Sequence, residues 1–129
     1  MALIQVVAAV VKRDDKYLIC QRPAHKRHGN LWEFPGGKLE AGETYLDAAR
    51  RELVEELGVE ARAIGSAQFT VADPGSDFII AFVPTEINGE PACLEHTQLK
   101  WMSLDDLPTL ILAPSDLRFV EFLRSNHLT

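Results

Sequence analysis

Residues 37–59 read GKLEAGETYLDAARRELVEELGV, and the second half of that stretch has the pattern of a helix. Leu46, Ala49, Leu53 and Leu57 recur at three- and four-residue intervals, the spacing of one buried helix face. Thr44 stands where an N-cap is expected with Asp47 three residues on, and Gly58 holds the usual stop position. The spacing therefore predicts a helix over 44–57. On it Glu52, Glu55 and Glu56 fall at i, i+3 and i+4, so about 100° per residue gathers three carboxylates on one side. By spacing alone they equally suit a solvated face beside Arg50 and Arg51.

Upstream of that helix, Leu31-Trp32-Glu33-Phe34-Pro35 leads into Gly36-Gly37, read as a loop whose backbone can approach a ligand closely. Before it, Ala2–Lys12 is rich in β-branched residues, and Arg13-Asp14-Asp15-Lys16 and Tyr17–Gln21 follow as a turn and a returning strand. Pro23–Asn30 is a polar loop. Downstream, Val59–Val71 and Asp77–Glu86 read as strands joined at Asp73-Pro74-Gly75. Phe78–Val83 is apolar on both faces, as in a buried central strand. Asn88-Gly89 predicts a hairpin turn, Leu99–Met102 a short strand, and Ser115 the N-cap of a final helix with Leu117, Val120 and Leu123 on one side. The pattern is an α/β chain with a mixed sheet and helices packed on its faces.

Composition limits the function classes. The 129 residues, 47% of them apolar, suit one domain over 1–129 without linker or repeat. Thirteen Lys and Arg against nineteen Asp and Glu give a formal charge of −6, which argues against a nucleic-acid polymer or an anionic membrane as partner. A phosphorylated small molecule still fits if a divalent cation stands between it and protein carboxylates. Cys20 and Cys93 lie far apart and read as reduced core thiols. With no targeting pattern the expected setting is the cytoplasm, and the expected state a monomer or weak homodimer.

Gly37, five residues, Glu43, seven residues and then Arg51-Glu52-Leu53-Val54-Glu55-Glu56-Leu57-Gly58-Val59 together resemble the signature of the Nudix hydrolase superfamily. Every specified position of G-x5-E-x7-R-E-U-x-E-E-x-G-U, with U aliphatic, is filled, a coincidence expected on the order of once in ten million chains of this length. Gln21-Arg22-Pro23, Leu31–Gly37, Glu95–Ser103 and Leu112–Asp116 more loosely resemble the MutT-like branch. The resemblance implies an α/β/α Nudix sandwich with a mixed β-sheet, and carboxylates that collect Mg²⁺ or Mn²⁺. It implies metal contacts from the Gly36 carbonyl and from Glu52, Glu55, Glu56 and Glu95. Glu52 is expected to act as general base or to position it, with Glu95 as the alternative base. Arg51 would brace the glutamates, Glu43 would sit beside them, and Lys38 would reach phosphate oxygens.

The same resemblance suggests how a nucleotide is held. Arg22 would contact phosphate or sugar, Gly36 and Gly37 would offer backbone, and Phe34 and Pro35 would wall the base, with Trp32 in the core. Of His25, Lys26, Arg27 and His28, none at metal spacing, His28 is taken to touch substrate. Asp116 is either a first-turn acid complementing a helix dipole or a reader of the base edge, able to donate only if protonated. His96 and His127 carry no signal. The implied reaction is nucleoside triphosphate plus water to monophosphate and pyrophosphate, cleaning damaged nucleotides. The alternatives are a hydrolase of nucleotide sugars, ADP-ribose or dinucleoside polyphosphates, and a non-catalytic nucleotide-binding module.

Overall fold

Strand β1 (Ile4–Arg13) organises the molecule because its side chains are buried on both faces. Val7, Ala9 and Val11 face one layer while Ala8 and Val10 face the other, the two-residue alternation of a strand enclosed between helices. The computed structural model describes residues 3–126, so His127 lies outside the described residues. After β1 come β2 (Lys16–Gln21), β3 (Trp32–Glu33), β4 (Gly36–Lys38), α1 (Tyr45–Leu57), β5 (Glu60–Ile64), β6 (Phe69–Ala72), β7 (Phe78–Asn88), β8 (Gln98–Ser103) and α2 (Pro114–Ser125).

The sheet is mixed: β1 runs parallel to β7 and antiparallel to β2 and β4. Strands β5 and β6 both pair antiparallel with β7, and β8 pairs with β2. On one face α1 buries Ala48, Ala49, Leu53 and Leu57 against Val7, Ala9, Val11, Leu18 and Cys20. On the other, Phe119 and Val120 of α2 pack on Ala8, Val10, Ile19, Phe34 and Phe82. Phe82 and Phe119 stack at 4.4 Å between ring centroids. This is the expected α/β/α sandwich.

Local chemistry explains the agreements and the departures. Helix α1 starts with the predicted capping box: Thr44 Oγ1 accepts from the Asp47 amide at 3.2 Å, and Asp47 accepts from the Thr44 amide at 3.0 Å. It stops at Gly58, whose φ of 67° is the left-handed conformation that costs glycine least. Leu46, however, is 45% exposed, and Ala48 fills the buried position instead. Gly36 and Gly37 lie in β4 rather than in a loop, registered against Ala8 and Val7.

Residues 59–71 form two strands, not one. The interruption falls opposite Pro84, which has no N–H for the ladder, and only its carbonyl accepts, from Gly65 at 2.9 Å. Asn88-Gly89 turns the chain without making a hairpin, because the following segment leaves β7 and caps α1. Helix α2 begins at Pro114 with Ala113 as N-cap, and its inner face is Ser115, Asp116, Phe119 and Val120 while Leu117 stays outside. Cys20 is buried, with its thiol pushed up by that burial, whereas Cys93 is exposed, so only Cys20 is a core thiol. Among the described residues no helix is long and apolar enough to cross a membrane.

Candidate active site

The carboxylate helix meets β4 at a cavity of about 400 Å³. Glu52 and Glu56 line it with Gly36, Gly37 and Lys38, and so do Glu95, Arg22, His28 and Asp116. The close approach of α1 to β4 depends on missing side chains. A Cβ on Gly37 would stand 1.9 Å from Glu52 Oε2, and one on Gly36 would stand 1.9 Å from the Val7 carbonyl oxygen. The Gly36 amide donates to Glu56 Oε1 at 3.2 Å.

Arg51 is the hub of the acidic face. It grips Glu43 with two nitrogens at 2.8 and 2.9 Å, donates to Glu55 at 3.2 Å and to the Lys38 carbonyl at 3.0 Å, and stands 3.4 Å from Glu52. The bond from Arg51 holds the Glu43 carboxyl down to about 2. Glu52 and Glu56 shift the other way. Burial raises both, helped by like charges, and Glu56 reaches about 9 with only the Gly36 amide to oppose it. Glu55 does not share this environment: about half exposed, it lies outside the cavity on Arg51.

A buried carboxylate, Glu56, and a partly buried one, Glu52, repelling each other beside a backbone strand have the donor chemistry of a hard divalent cation. Among the described residues no three carboxylate, thiol or imidazole side chains already form a closed cage. The set therefore fits Mg²⁺ or Mn²⁺, which retain waters and borrow substrate oxygens, better than a four-ligand structural metal.

Glu95 reaches the cavity, and His96 the Glu33 carboxylate at its wall, because the segment after β7 caps α1: Ala92 N–H donates to the Leu57 carbonyl and Leu94 N–H to the Glu56 carbonyl, both at 3.0 Å. Asp116 arrives by a similar tie, since around the bridge between Trp32 and Leu112 the Trp32 N–H donates to the Ile111 carbonyl and the Ala113 N–H to the Trp32 carbonyl, both at 2.9 Å. Its Oδ1 accepts from the Phe34 amide at 2.8 Å. Burial first, and the Glu33 charge second, push Asp116 well above the usual carboxylate range.

Several sequence expectations find different surroundings. Phe34 is core, its ring edge-on to Tyr17, Phe82 and Phe119, and Pro35 is fully buried, so neither ring walls the main cavity. The apolar lining is Val6, Phe78, Ile80 and Ala113. Arg22 is committed to protein: Nη1 donates to both oxygens of Glu33 at 2.9 and 3.1 Å, and Nε to the Arg27 carbonyl at 2.7 Å. Sequence reasoning missed Glu33, whose signal was a lone acid between two core aromatics. It also missed Asp73, a buried turn residue that accepts from Arg27 at 3.1 Å, Ser76 at 3.0 Å and Ser115 at 2.6 Å. His28, with a left-handed φ of 57°, sits 3.9 Å from the same Asp73.

Comparison with known proteins agrees with this geometry. The family model for the NUDIX domain matches residues 3–123. A CTP pyrophosphohydrolase of Escherichia coli K12 is 40% identical over 94% of this chain and 91% of its own. An 8-oxo-dGTP diphosphatase of the same organism is 32% identical over 84% of this chain and 90% of its own. The crystal structure of a MutT NUDIX hydrolase from Burkholderia pseudomallei superposes with a TM-score of 0.83 at 26% identity, covering 94% of this chain and 98% of that one. With the full signature on α1 and β4, a matching sandwich and relatives aligned along nearly their whole length, this chain belongs to the Nudix hydrolase family.

Proposed function

We propose that the chain is a pyrophosphohydrolase of nucleoside triphosphates, releasing monophosphate and pyrophosphate with Mg²⁺ or Mn²⁺, and that it removes modified nucleotides from the pool. The observation that carries this reading is one cavity combining three chemistries. It holds acids (Glu52, Glu56, Glu95), basic side chains (Lys26, Arg27, Lys38) with the imidazole of His28, and a second acid pair (partly buried Glu33, buried Asp116) beside apolar Phe78 and Ile80. Acids for a metal, cations for a polyphosphate and a polar pair for a base edge are what a nucleoside triphosphate requires.

Glu52, Glu56, Glu95 and the Gly36 carbonyl are the residues to hold the cation, with Glu55 joining if it leaves Arg51. When bound, the cation neutralises charge on phosphorus oxygens and acidifies water. Glu52, kept within 3.4 Å of Arg51, takes the proton of the attacking water. Lys38 and His28 meet phosphate oxygens, and Glu33 with Asp116 meets the base. The partner is then a small molecule rather than a polymer or membrane. We assign one Nudix domain over 1–129, acting in the cytoplasm as a monomer or weak homodimer.

The relatives' names favour a triphosphate over other diphosphate derivatives. The test is pyrophosphate and phosphate release, with and without Mg²⁺, across natural triphosphates, 8-oxo-dGTP, 5-substituted dCTPs, ADP-ribose, nucleotide sugars and dinucleoside polyphosphates. A triphosphate yielding pyrophosphate is the expected winner. Preference for a nucleotide sugar, ADP-ribose or a dinucleoside polyphosphate would overturn the substrate, and tight binding without turnover would make this a binding module.

A further inference from the structure

His96 is a polar residue with no evident reason to be inside. The segment that caps α1 drives it inward until its side chain is 4% exposed, and its Nε2 lies 2.9 Å from Glu33 Oε2. Nδ1 is buried with no hydrogen-bond partner. Leaving a buried ring nitrogen unsatisfied is costly, so an apolar side chain would serve better if His96 only filled space. The 2.9 Å contact requires a proton on Nε2, since two acceptors would repel, and Nε2–H therefore donates to Glu33.

Glu33 is thus held from two sides. Arg22 Nη1 reaches both its oxygens, and His96 takes one of them from beyond. So fixed, Glu33 lines the cavity as a hydrogen-bond acceptor. Asp116 lines the same cavity, already accepts from the Phe34 amide, and is pushed towards its protonated, donating form. A fixed acceptor beside a donor matches a base edge with a ring acceptor next to an exocyclic amino group. A 4-aminopyrimidine presents that order, and a 4-oxopyrimidine presents it reversed.

We propose that His96 is a positioning residue for base selection: by donating from Nε2 it fixes Glu33 to receive an exocyclic amino group, and so sets a preference for 4-amino- over 4-oxopyrimidine nucleotides. The proposal rests on the reading of this cavity as a nucleoside triphosphate site. It is tested by the ratio of kcat/KM for CTP to that for UTP at saturating Mg²⁺, with kcat and KM resolved separately. His96→Leu and His96→Asn both remove the bond, the second while keeping a buried polar group. His96→Gln restores a donor at the Nε2 position.

The expected result is a ratio that falls about tenfold in His96→Leu and His96→Asn, through a raised KM for CTP, and returns to within about threefold of the parent in His96→Gln. Equal losses on CTP and UTP, an unchanged ratio, failure of glutamine to rescue, or a parent enzyme that does not distinguish the two would each overturn it. If His96→Leu does not fold, the asparagine and glutamine pair decides alone. Glu33→Gln separates the two levels: an unchanged ratio there refutes the base-reading cavity itself, whereas a collapsed ratio in Glu33→Gln with a normal one in His96→Asn refutes only the role of His96.

Discussion

Gly37→Ala puts a methyl group where the Glu52 carboxylate now lies. The new carbon would stand 1.9 Å from Oε2, 2.6 Å from Cδ and 3.3 Å from Cγ of Glu52. Ordinary contact begins near 3.5 Å, so the carboxylate oxygen must retreat by roughly 1.5 Å. Misplacing a catalytic group by about 1 Å costs on the order of a hundredfold, about 2.7 kcal/mol in the barrier. The obstruction is the end of a flexible side chain, so stability should change by less than about 1 kcal/mol. Gly36→Ala is the contrast. Its methyl would meet the Val7 carbonyl oxygen at 1.9 Å and Ala8 Cα at 2.9 Å, both backbone of β1, and should cost about 1–3 kcal/mol of stability or more. Steady-state pyrophosphate release and urea unfolding of both variants provide the test. A Gly37→Ala enzyme within threefold of the parent kcat, or as destabilised as Gly36→Ala, would refute the argument that Gly37 exists to admit Glu52.

Three further outcomes follow from the same contacts. Arg51→Lys replaces a two-nitrogen grip on Glu43 and bonds to Glu55 and the Lys38 carbonyl with a single point charge, and kcat/KM should fall about 10- to 100-fold with the fold intact by circular dichroism. Asp73→Ala leaves Ser115 and Arg27 without their shared acceptor and should lower unfolding free energy by about 2–3 kcal/mol in urea, with a raised KM as the loop around Arg27 loosens. Glu56 has a folded pKa near 9 against an ordinary 4.5, so in metal-free protein the folded state binds the extra proton and stability is lost as pH rises through that window. The loss between pH 5 and 7 should be on the order of 2–3 kcal/mol, and Glu56→Gln should flatten it, as should added Mg²⁺. A metal-free stability curve that rises over this range would contradict the assignment.

The acidic half of the candidate site was legible because its residues are close in sequence: a capping box, a glycine stop and three glutamates at helical spacing fix one another's directions. The end around Glu33 and Asp116 was not, because it is assembled by contacts between distant segments. Glu33 sits in a two-residue strand whose alternation puts Trp32 and Phe34 inside and Glu33 towards the cavity, and no local period announces so short an element. Phe34 was expected at the ligand because aromatic residues near a glycine pair suit stacking, but the aromatic cluster with Phe82 and Phe119 claims its ring. His96 had no pattern of its own. Its burial follows from the capping of α1 by a segment that the Asn88-Gly89 signal had assigned to a hairpin. Asp116 was found by position, but its upward shift comes from burial first and then from the charge of Glu33, more than eighty residues away in sequence.

The proposed function requires that α1 and β4 form a metal-dependent centre that cuts a nucleoside triphosphate between its α and β phosphates. Phosphorus NMR of CTP incubated with the parent enzyme and Mg²⁺, beside matched samples containing EDTA or Glu52→Gln enzyme, tests it in one experiment. CMP and pyrophosphate are expected in the first sample and intact CTP in the other two. CDP with orthophosphate, or undiminished turnover in EDTA, would contradict it.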